Sequence, residues 1–364
     1  HIPFCRSKCH YCSFNSYSGL DWLIPQYLQA LTKEMRSCAR QEPVNTIYLG
    51  GGTPTLLDSG QLGAVLQACD HSFAVSVDAE ITIEANPGDI NQPFLEELRA
   101  LGINRLSLGT QSWDDAVLKR LGRRHSAAEA VAAYRLARTA FDNVNIDLLY
   151  AVPGQTLEQW RQALERALGL EPDHLSLYPL SVEEGTALSA EIASGKMVKP
   201  DPDLAAEMYL VAEEELAAYE HYEISNWARP TKRCRHNLVY WRNLPYLGFG
   251  AGAHSFVEGR RLYNVLSPAQ YVRKLNETDS AVEGQEDIDE ALEMAETVIL
   301  GLRLGDGVSR AAFASRFGKD VDTVYGDEVS ELVELGLLLD DGGAIRLTQR
   351  GRLLGNQVFL RFLP

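Results

Sequence analysis

The chain lacks much of what would place it in several common classes. It has six cysteines in 364 residues, too few for a disulfide scaffold. It has no run of 18 apolar residues, so no segment reads as a membrane-spanning helix. It is short of positive charge: 34 Lys and Arg stand against 50 Asp and Glu, a formal net charge of −16. That excess of acid argues against general nucleic-acid binding, which needs a basic stripe, and no nucleic-acid partner is expected. No internal repeat or low-complexity tract is visible. The first residue is His rather than Met, so a few N-terminal residues are expected to be missing and a targeting segment is left open.

What is present looks globular. Apolar residues make up 45% and charged residues 23%, both ordinary values. The length suits one large domain of about 250 residues plus a smaller one. Short apolar runs at 44–49, 79–85, 104–109, 143–150 and 174–180 predict strands. Residues 1–4 read as the tail of another. Helical patterns fall between them at 22–40, 61–68, 93–101, 114–121, 127–140 and 157–168. The runs read as apolar without alternation, as in parallel strands covered on both faces. The expected fold class is α/β: a partial (β/α)6 TIM-like barrel over 1–220, with ligands at the C-terminal ends of its strands. After a helix at 203–218 and a strand at 221–228, a connecting segment runs to 285. Residues 286–364 read as a mostly helical, winged-helix-like domain with a Gly342-Gly343 hairpin. Packing is preferred over DNA binding for that domain, because its middle helix has few basic residues.

Three cysteines spaced Cys5-x3-Cys9-x2-Cys12 carry the most chemical information. A [4Fe–4S] cubane takes one thiolate per iron, so three cysteines leave one iron open. Reactive metal sites keep such a vacancy. The alternative is a zinc site, but zinc motifs usually bring a second cysteine pair. Here Cys38, Cys69 and Cys234 stand alone. Thiols of this kind survive in a reducing compartment, so a cytoplasmic location is expected. The candidate strand 44–49 runs into Gly50-Gly51-Gly52-Thr53-Pro54. Glycines there let backbone groups approach a ligand closely, although a tight strand-to-helix turn would use them too.

The cysteine loop and GGGTP on a barrel pattern resemble the radical S-adenosylmethionine (SAM) superfamily. IEANPG with Glu84, RLSLGTQS with Gln111, LGRRH with Arg123 and NIDLLYAVPGQT with Asp147 resemble its coproporphyrinogen III dehydrogenase-like branch. The resemblance implies that Cys5, Cys9 and Cys12 hold the cluster. It implies that SAM chelates the open iron and is cleaved to an adenosyl radical. Gly51, Gly52 and Thr53 would hold the methionine amino group and Tyr11 would pack on the adenine side. Glu84, Gln111, Arg123, Asp147, Ser181 and His254 match further SAM positions. Arg123 suits a carboxylate and Asp147 a ribose hydroxyl. Barrel-mouth hydrogen bonds are the alternative for each.

Two features separate the branches. The dehydrogenase has a further cysteine two residues after the third, where this chain has Phe14. The segment from Cys234 to Trp241 carries HNxxYW, which resembles heme chaperones of the HemW type. His236 is a candidate axial ligand to heme iron, and Cys234 a second one. Tyr240 and Trp241 offer flat apolar area, and Asn237 can orient the imidazole or meet a propionate. A His–aromatic cluster pinning a loop is the other reading. The resemblance implies a protein that carries SAM and a [4Fe–4S] cluster, binds heme and passes it to respiratory enzymes at the membrane surface. It leaves a homodimer open. Coproporphyrinogen III dehydrogenation is the alternative activity, and radical opening of heme ranks after it.

Overall fold

The computed structural model describes residues 1–364, the side chain of Gln41 excepted. Its helices begin where the sequence supplies caps. Asp58 with Gln61, Ser126 with Glu129 and Thr156 with Gln159 each form a reciprocal capping box, satisfying N–H groups the first turn leaves free. These caps start α2 (Ser59–Ser72), α5 (Ala127–Ala140) and α6 (Leu157–Leu168). They follow α1 (Ile24–Ser37), α3 (Gln92–Ala100) and α4 (Asp115–Arg120) in the same alternating series.

The strands between them form one curled sheet. β1 (Arg40–Leu49), β2 (Phe73–Ala85), β3 (Arg105–Gln111), β4 (Val144–Tyr150) and β5 (His174–Pro179) run parallel in that order. The start of the chain lies along its open end: Ile2 N–H donates to Gly50 O (2.8 Å) and Thr53 N–H to Phe4 O (2.9 Å). This is the expected partial α/β barrel. Two details differ. First, the single strand expected at 221–228 is a hairpin, β6 (Glu220–Glu223) and β7 (Asn226–Ala228), and it closes the sheet antiparallel to β5. Glu223 accepts from Ser225 N–H (3.2 Å) and from Asn226 Nδ2, so its carboxylate satisfies the turn. The segment expected to connect the domains from 221 therefore starts within the sheet.

Second, the strands do alternate. Ile83, Leu106, Leu108, Ile146 and Leu175 are wholly buried on the face under the helices. The inner face carries a row of polar residues. Register pairs Thr82 with Arg105, Glu84 with Ser107, Ser107 with Asn145 and Asp147 with Ser176. A curled sheet covers its convex face with helices and leaves its concave face to line a cavity, so period-two patterning survives in parallel strands.

After α7 (Ala187–Ala193), α8 (Pro202–Glu215) and the β6–β7 hairpin comes α9 (Arg235–Trp241), which carries HNxxYW. β8 (His254–Val257), β9 (Arg260–Asn264) and β10 (Val282–Asp287) form an antiparallel sheet, with α10 (Pro268–Thr278) before the last of them. Buried Glu34 on α1 ties this segment to the barrel. It accepts from Gly250 N–H (2.9 Å), Asn264 Nδ2 (2.6 Å) and Tyr271 Oη (2.5 Å). The C-terminal part has its own core of Val298, Phe313, Ile345 and Phe362. It comprises α11 (Glu290–Leu302), β11 (Val308–Ser309), α12 (Arg310–Phe317), α13 (Val321–Glu334) and the hairpin β12 (Leu338–Asp340)–β13 (Ala344–Leu347). That is a winged-helix arrangement. Among the described residues, no helix is long and apolar enough to cross a membrane.

Candidate functional site: a cavity at the strand ends

The C-terminal ends of the parallel strands open into a cavity of about 560 Å³. Its rim is the cysteine loop, and Cys5, Cys9 and Cys12 all line it as free, partly buried thiols. Each sulfur has a donor or hydroxyl beside it: Thr53 Oγ1 on Cys5 (3.5 Å), Arg123 Nη1 on Cys9 (3.4 Å) and Ser16 Oγ near Cys12 (3.8 Å). Burial pushes the Cys5 thiol up, and these neighbours oppose that cost once a thiolate forms. Among the described residues no three His, Cys, Asp or Glu side chains converge as on a single metal ion. A cubane binds each thiolate to a different iron. Cys5, Cys9 and Cys12 supply three thiolates to one cavity, one fewer than the irons of a cubane.

The glycine loop is a close-approach site. A Cβ on Gly52 would stand 2.7 Å from Phe4 O and 3.0 Å from Cys5 Sγ, and Gly51 has φ +121°. Both positions thus require glycine. Gly51 N–H donates to Glu84 Oε2 (3.0 Å) and Tyr48 Oη to Glu84 Oε1 (2.9 Å). Burial pushes the Glu84 carboxyl upward. Thr53 Oγ1 also accepts from Asn86 Nδ2 (3.0 Å). Arg123 donates to Asn86 Oδ1 and to Gly109 O (2.6 Å), yet its buried Nε has no partner. A spare donor on a buried guanidinium is what an anionic ligand would use. Asp147 accepts from Asn145 Nδ2 (2.7 Å) and Ser107 Oγ (3.2 Å). Tyr11, Gln111 and Ser181 also line the cavity. Gln111 has φ +68°, a strained backbone at the end of β3.

His125 sits behind Arg123, 6% exposed, with Nε2 on Thr110 O (3.0 Å). Burial, then the Arg123 charge, pushes its pKa down to about 4. Its folded pKa lies below the ordinary value, so the unfolded chain takes up the proton first as pH falls. Stability is therefore lost between about pH 6.5 and 4. We expect His125→Gln, which keeps a donor for Thr110, to flatten part of that slope in urea unfolding followed from pH 7 to 4. An unchanged slope would show that His125 does not contribute to it.

The structure divides the HNxxYW residues. α9 is held by Glu80 of the inner row, which accepts from Arg235 N–H and His236 N–H (both 3.0 Å), a carboxylate at a helix N-terminus. His236 and Tyr240, one turn apart, share a face. His236 Nε2 meets Tyr240 Oη (2.9 Å), its Nδ1 meets Thr46 Oγ1 (2.9 Å), and its ring stacks on Tyr48 (5.2 Å). Burial, then the Arg105 charge, pushes the imidazole down to about 4, so it is neutral at pH 7. Asn237 lines the cavity.

Asn237 is the one residue of this segment in the cavity lining; His236 and Tyr240 are absent from it, and three further expected residues lie elsewhere. Cys234 is wholly buried, with Sγ 3.6 Å from Glu80 Oε1, and does not reach the cavity. Trp241 lies about 140° around the helix from His236. Its ring packs under Arg303, 4.6 Å away, toward the C-terminal part. His254 is exposed on β8 beside Tyr263 (5.8 Å) and is absent from the cavity lining. In return the cavity holds residues not singled out from sequence: Tyr48, Asn86, Arg105 and Ser107. The period-two polar row was the signal for three of them. Phe14, 69% exposed, stands at the rim where the dehydrogenase pattern has cysteine.

Residues 1–167 match the Radical SAM superfamily and residues 288–354 the HemN C-terminal domain. The chain is 36% identical to "Heme chaperone HemW" of Bacillus subtilis, covering 100% of this chain and 98% of that one. It is 36% identical to "Radical S-adenosyl methionine domain-containing protein 1, mitochondrial" of Mus musculus, covering 100% and 86%. Among solved structures, the coproporphyrinogen III oxidase HemN of Escherichia coli superposes with a TM-score of 0.85 at 26% identity, covering 100% of this chain and 88% of that one. Full-length identity of this order, on a barrel that gathers the three cysteines and the glycine loop at one mouth, makes the chain a member of the radical SAM superfamily, in its HemW family.

Proposed function

We propose that this protein is a heme chaperone. It binds heme as cargo, carries a [4Fe–4S] cluster with SAM, and passes heme to respiratory enzymes at the membrane surface from the cytoplasm. The observation that carries this reading is the 36% identity over the whole chain to a protein named a heme chaperone. Phe14 in place of the dehydrogenase cysteine supports it. Cys5, Cys9 and Cys12 would hold the cluster, with Thr53 and Arg123 donating to sulfur. Gly51 and Gly52 leave room for the SAM amino group, Tyr11 packs on the adenine side, and the fork of Arg123 takes a carboxylate. Glu84, Gln111, Asp147 and Ser181 complete that wall. Bound together, a reduced cluster and SAM supply one-electron chemistry.

For heme, His236 is the axial ligand. As a neutral imidazole it has a lone pair to give. Thr46 takes the Nδ1 proton and so leaves Nε2 as the acceptor. Tyr240 Oη occupies Nε2 in the free protein and turns aside for iron. Asn237, facing the cavity, orients a polar edge of the cargo. A domain division at about 286 would let the C-terminal part cover α9, and Trp241 under Arg303 supports such a role.

Likeness to the HemN structure favours a second reading, oxidative decarboxylation of coproporphyrinogen III. One experiment separates the two. The protein is purified without oxygen, its cluster is reconstituted, and it is given hemin, or coproporphyrinogen III with SAM and a reductant. We expect one hemin bound per chain and no decarboxylated porphyrinogen. Turnover of coproporphyrinogen III would replace the chaperone reading with the second.

A further inference from the structure

Arg105 lines the cavity with no carboxylate of the described residues within salt-bridge distance, although Glu80 and Asp147 lie near enough to favour its charge. It lies on β3 in the inner polar row, is 2% exposed, and has no hydrogen-bond partner for Nε. Thr82 Oγ1, at the paired position on β2, is likewise buried and unpartnered. Other barrel arginines hold carboxylates: Arg124 holds Asp89 and Arg138 holds Asp173. Among the described residues no salt bridge reaches Arg105.

The acids around it are already engaged. Glu80 accepts from two helix N–H groups and from Cys234. Asp147 accepts from Asn145 and Ser107. A guanidinium stays charged at any working pH, and a buried charge with unmade hydrogen bonds is strongly unfavourable. Such a group is retained where a ligand completes it. A buried water is the competing partner.

We propose that Arg105 is an anion-recognition residue, whose guanidinium binds a carboxylate of the ligand held in the cavity. A planar fork of N–H groups matches a carboxylate in two parallel bonds. Arg105 precedes Gly109, whose carbonyl holds Arg123, by four residues, or about 13 Å along the strand. Arg105 and Arg123 thus stand at two depths of the cavity, which Arg6 and Arg124 also line. Arg123 stands beside the cysteine loop. Arg105 stands near α9, where Asn237 faces the same space. Two ligands bring carboxylates: SAM through its aminoacyl group, and a tetrapyrrole through its propionates. Only the second source rests on the proposed function.

The test is equilibrium titration of anaerobically reconstituted wild type and Arg105→Gln. One arm uses hemin and its dimethyl ester. The other uses SAM and methylthioadenosine, which lacks the aminoacyl carboxylate. We expect Arg105→Gln to weaken one acid ligand about 10–100-fold and its carboxylate-free analogue less than twofold. Weakening of hemin alone assigns a propionate, and weakening of SAM alone assigns the aminoacyl carboxylate. Unchanged affinity for both acids, as a water-filled site predicts, overturns the proposal. Equal weakening of acids and analogues also overturns it, as general damage to the cavity. If wild type binds no hemin, the chaperone reading falls and the SAM arm still decides Arg105. If Arg105→Gln does not fold, Arg105→Lys keeps the charge but loses Nε and the fork. The expected result is then a fivefold or greater loss for one acid, and wild-type affinities for both would overturn the proposal.

Discussion

Cys9→Ala is expected to yield a folded protein with no intact [4Fe–4S] cluster after reconstitution. The brown absorbance near 400 nm should vanish, iron and sulfide should fall to background, and SAM should no longer bind. The effect is all-or-none because each thiolate holds a different iron. With only three cysteines in the loop, losing one leaves two irons without protein ligands. Cys38, Cys69 and Cys234 cannot substitute. Cys69 and Cys234 are buried, and none of the three lines the cavity. Cys5→Ala and Cys12→Ala should behave alike. Thr53→Ala should act much more weakly, since it removes one hydrogen bond to Cys5 Sγ. A full complement of iron in any single cysteine variant would defeat the ligand assignment. The expectation of a folded protein rests on partial exposure: the three side chains lie at a rim, and their loss opens no sealed core void.

His236→Ala is expected to lower hemin affinity by at least about tenfold, with iron and sulfide of the cluster unchanged. The absorption band of an imidazole-ligated heme should be lost with it. Tyr240→Phe should have the opposite sign. Its hydroxyl occupies His236 Nε2 at 2.9 Å, so removing it uncovers the ligand and keeps the ring. Binding as tight as wild type or tighter is expected. Trp241→Phe should leave hemin affinity near wild type, because that ring faces Arg303. Hemin binding by His236→Ala with wild-type affinity and spectrum would remove α9 from the heme site.

Much of this was legible in the linear chain, and the particular residues show why. The cysteine trio, the glycine loop and the strand-end positions of Glu84, Gln111, Arg123 and Asp147 all lie on local motifs. A parallel strand delivers its C-terminal residue to the barrel mouth whatever its neighbours are. These residues do meet in one cavity. The α/β alternation was likewise readable from apolar runs and the helical patterns between them. The division of HNxxYW was not. Six residues of sequence suggest one cluster, but a helix turns them to different sides. Glu80, far away in sequence, holds the helix N-terminus, and of the six only Asn237 lines the cavity. His254 lies on β8, paired antiparallel with β9, and its exposed side chain is absent from the cavity lining.

By itself the sequence determined the local chemistry: which thiols sit within a few residues of one another, which glycines permit close approach, and where helices start. These depend on spacing and backbone freedom, which are properties of contiguous residues. Only the tertiary structure decided which buried groups lack a partner. Arg105 and Arg123 look alike in sequence, and so do Arg105 and Arg138. Their difference is a matter of which distant acceptors the fold brings within hydrogen-bonding reach, an amide and a carbonyl for Arg123 and a carboxylate for Arg138, and no short segment contains that information.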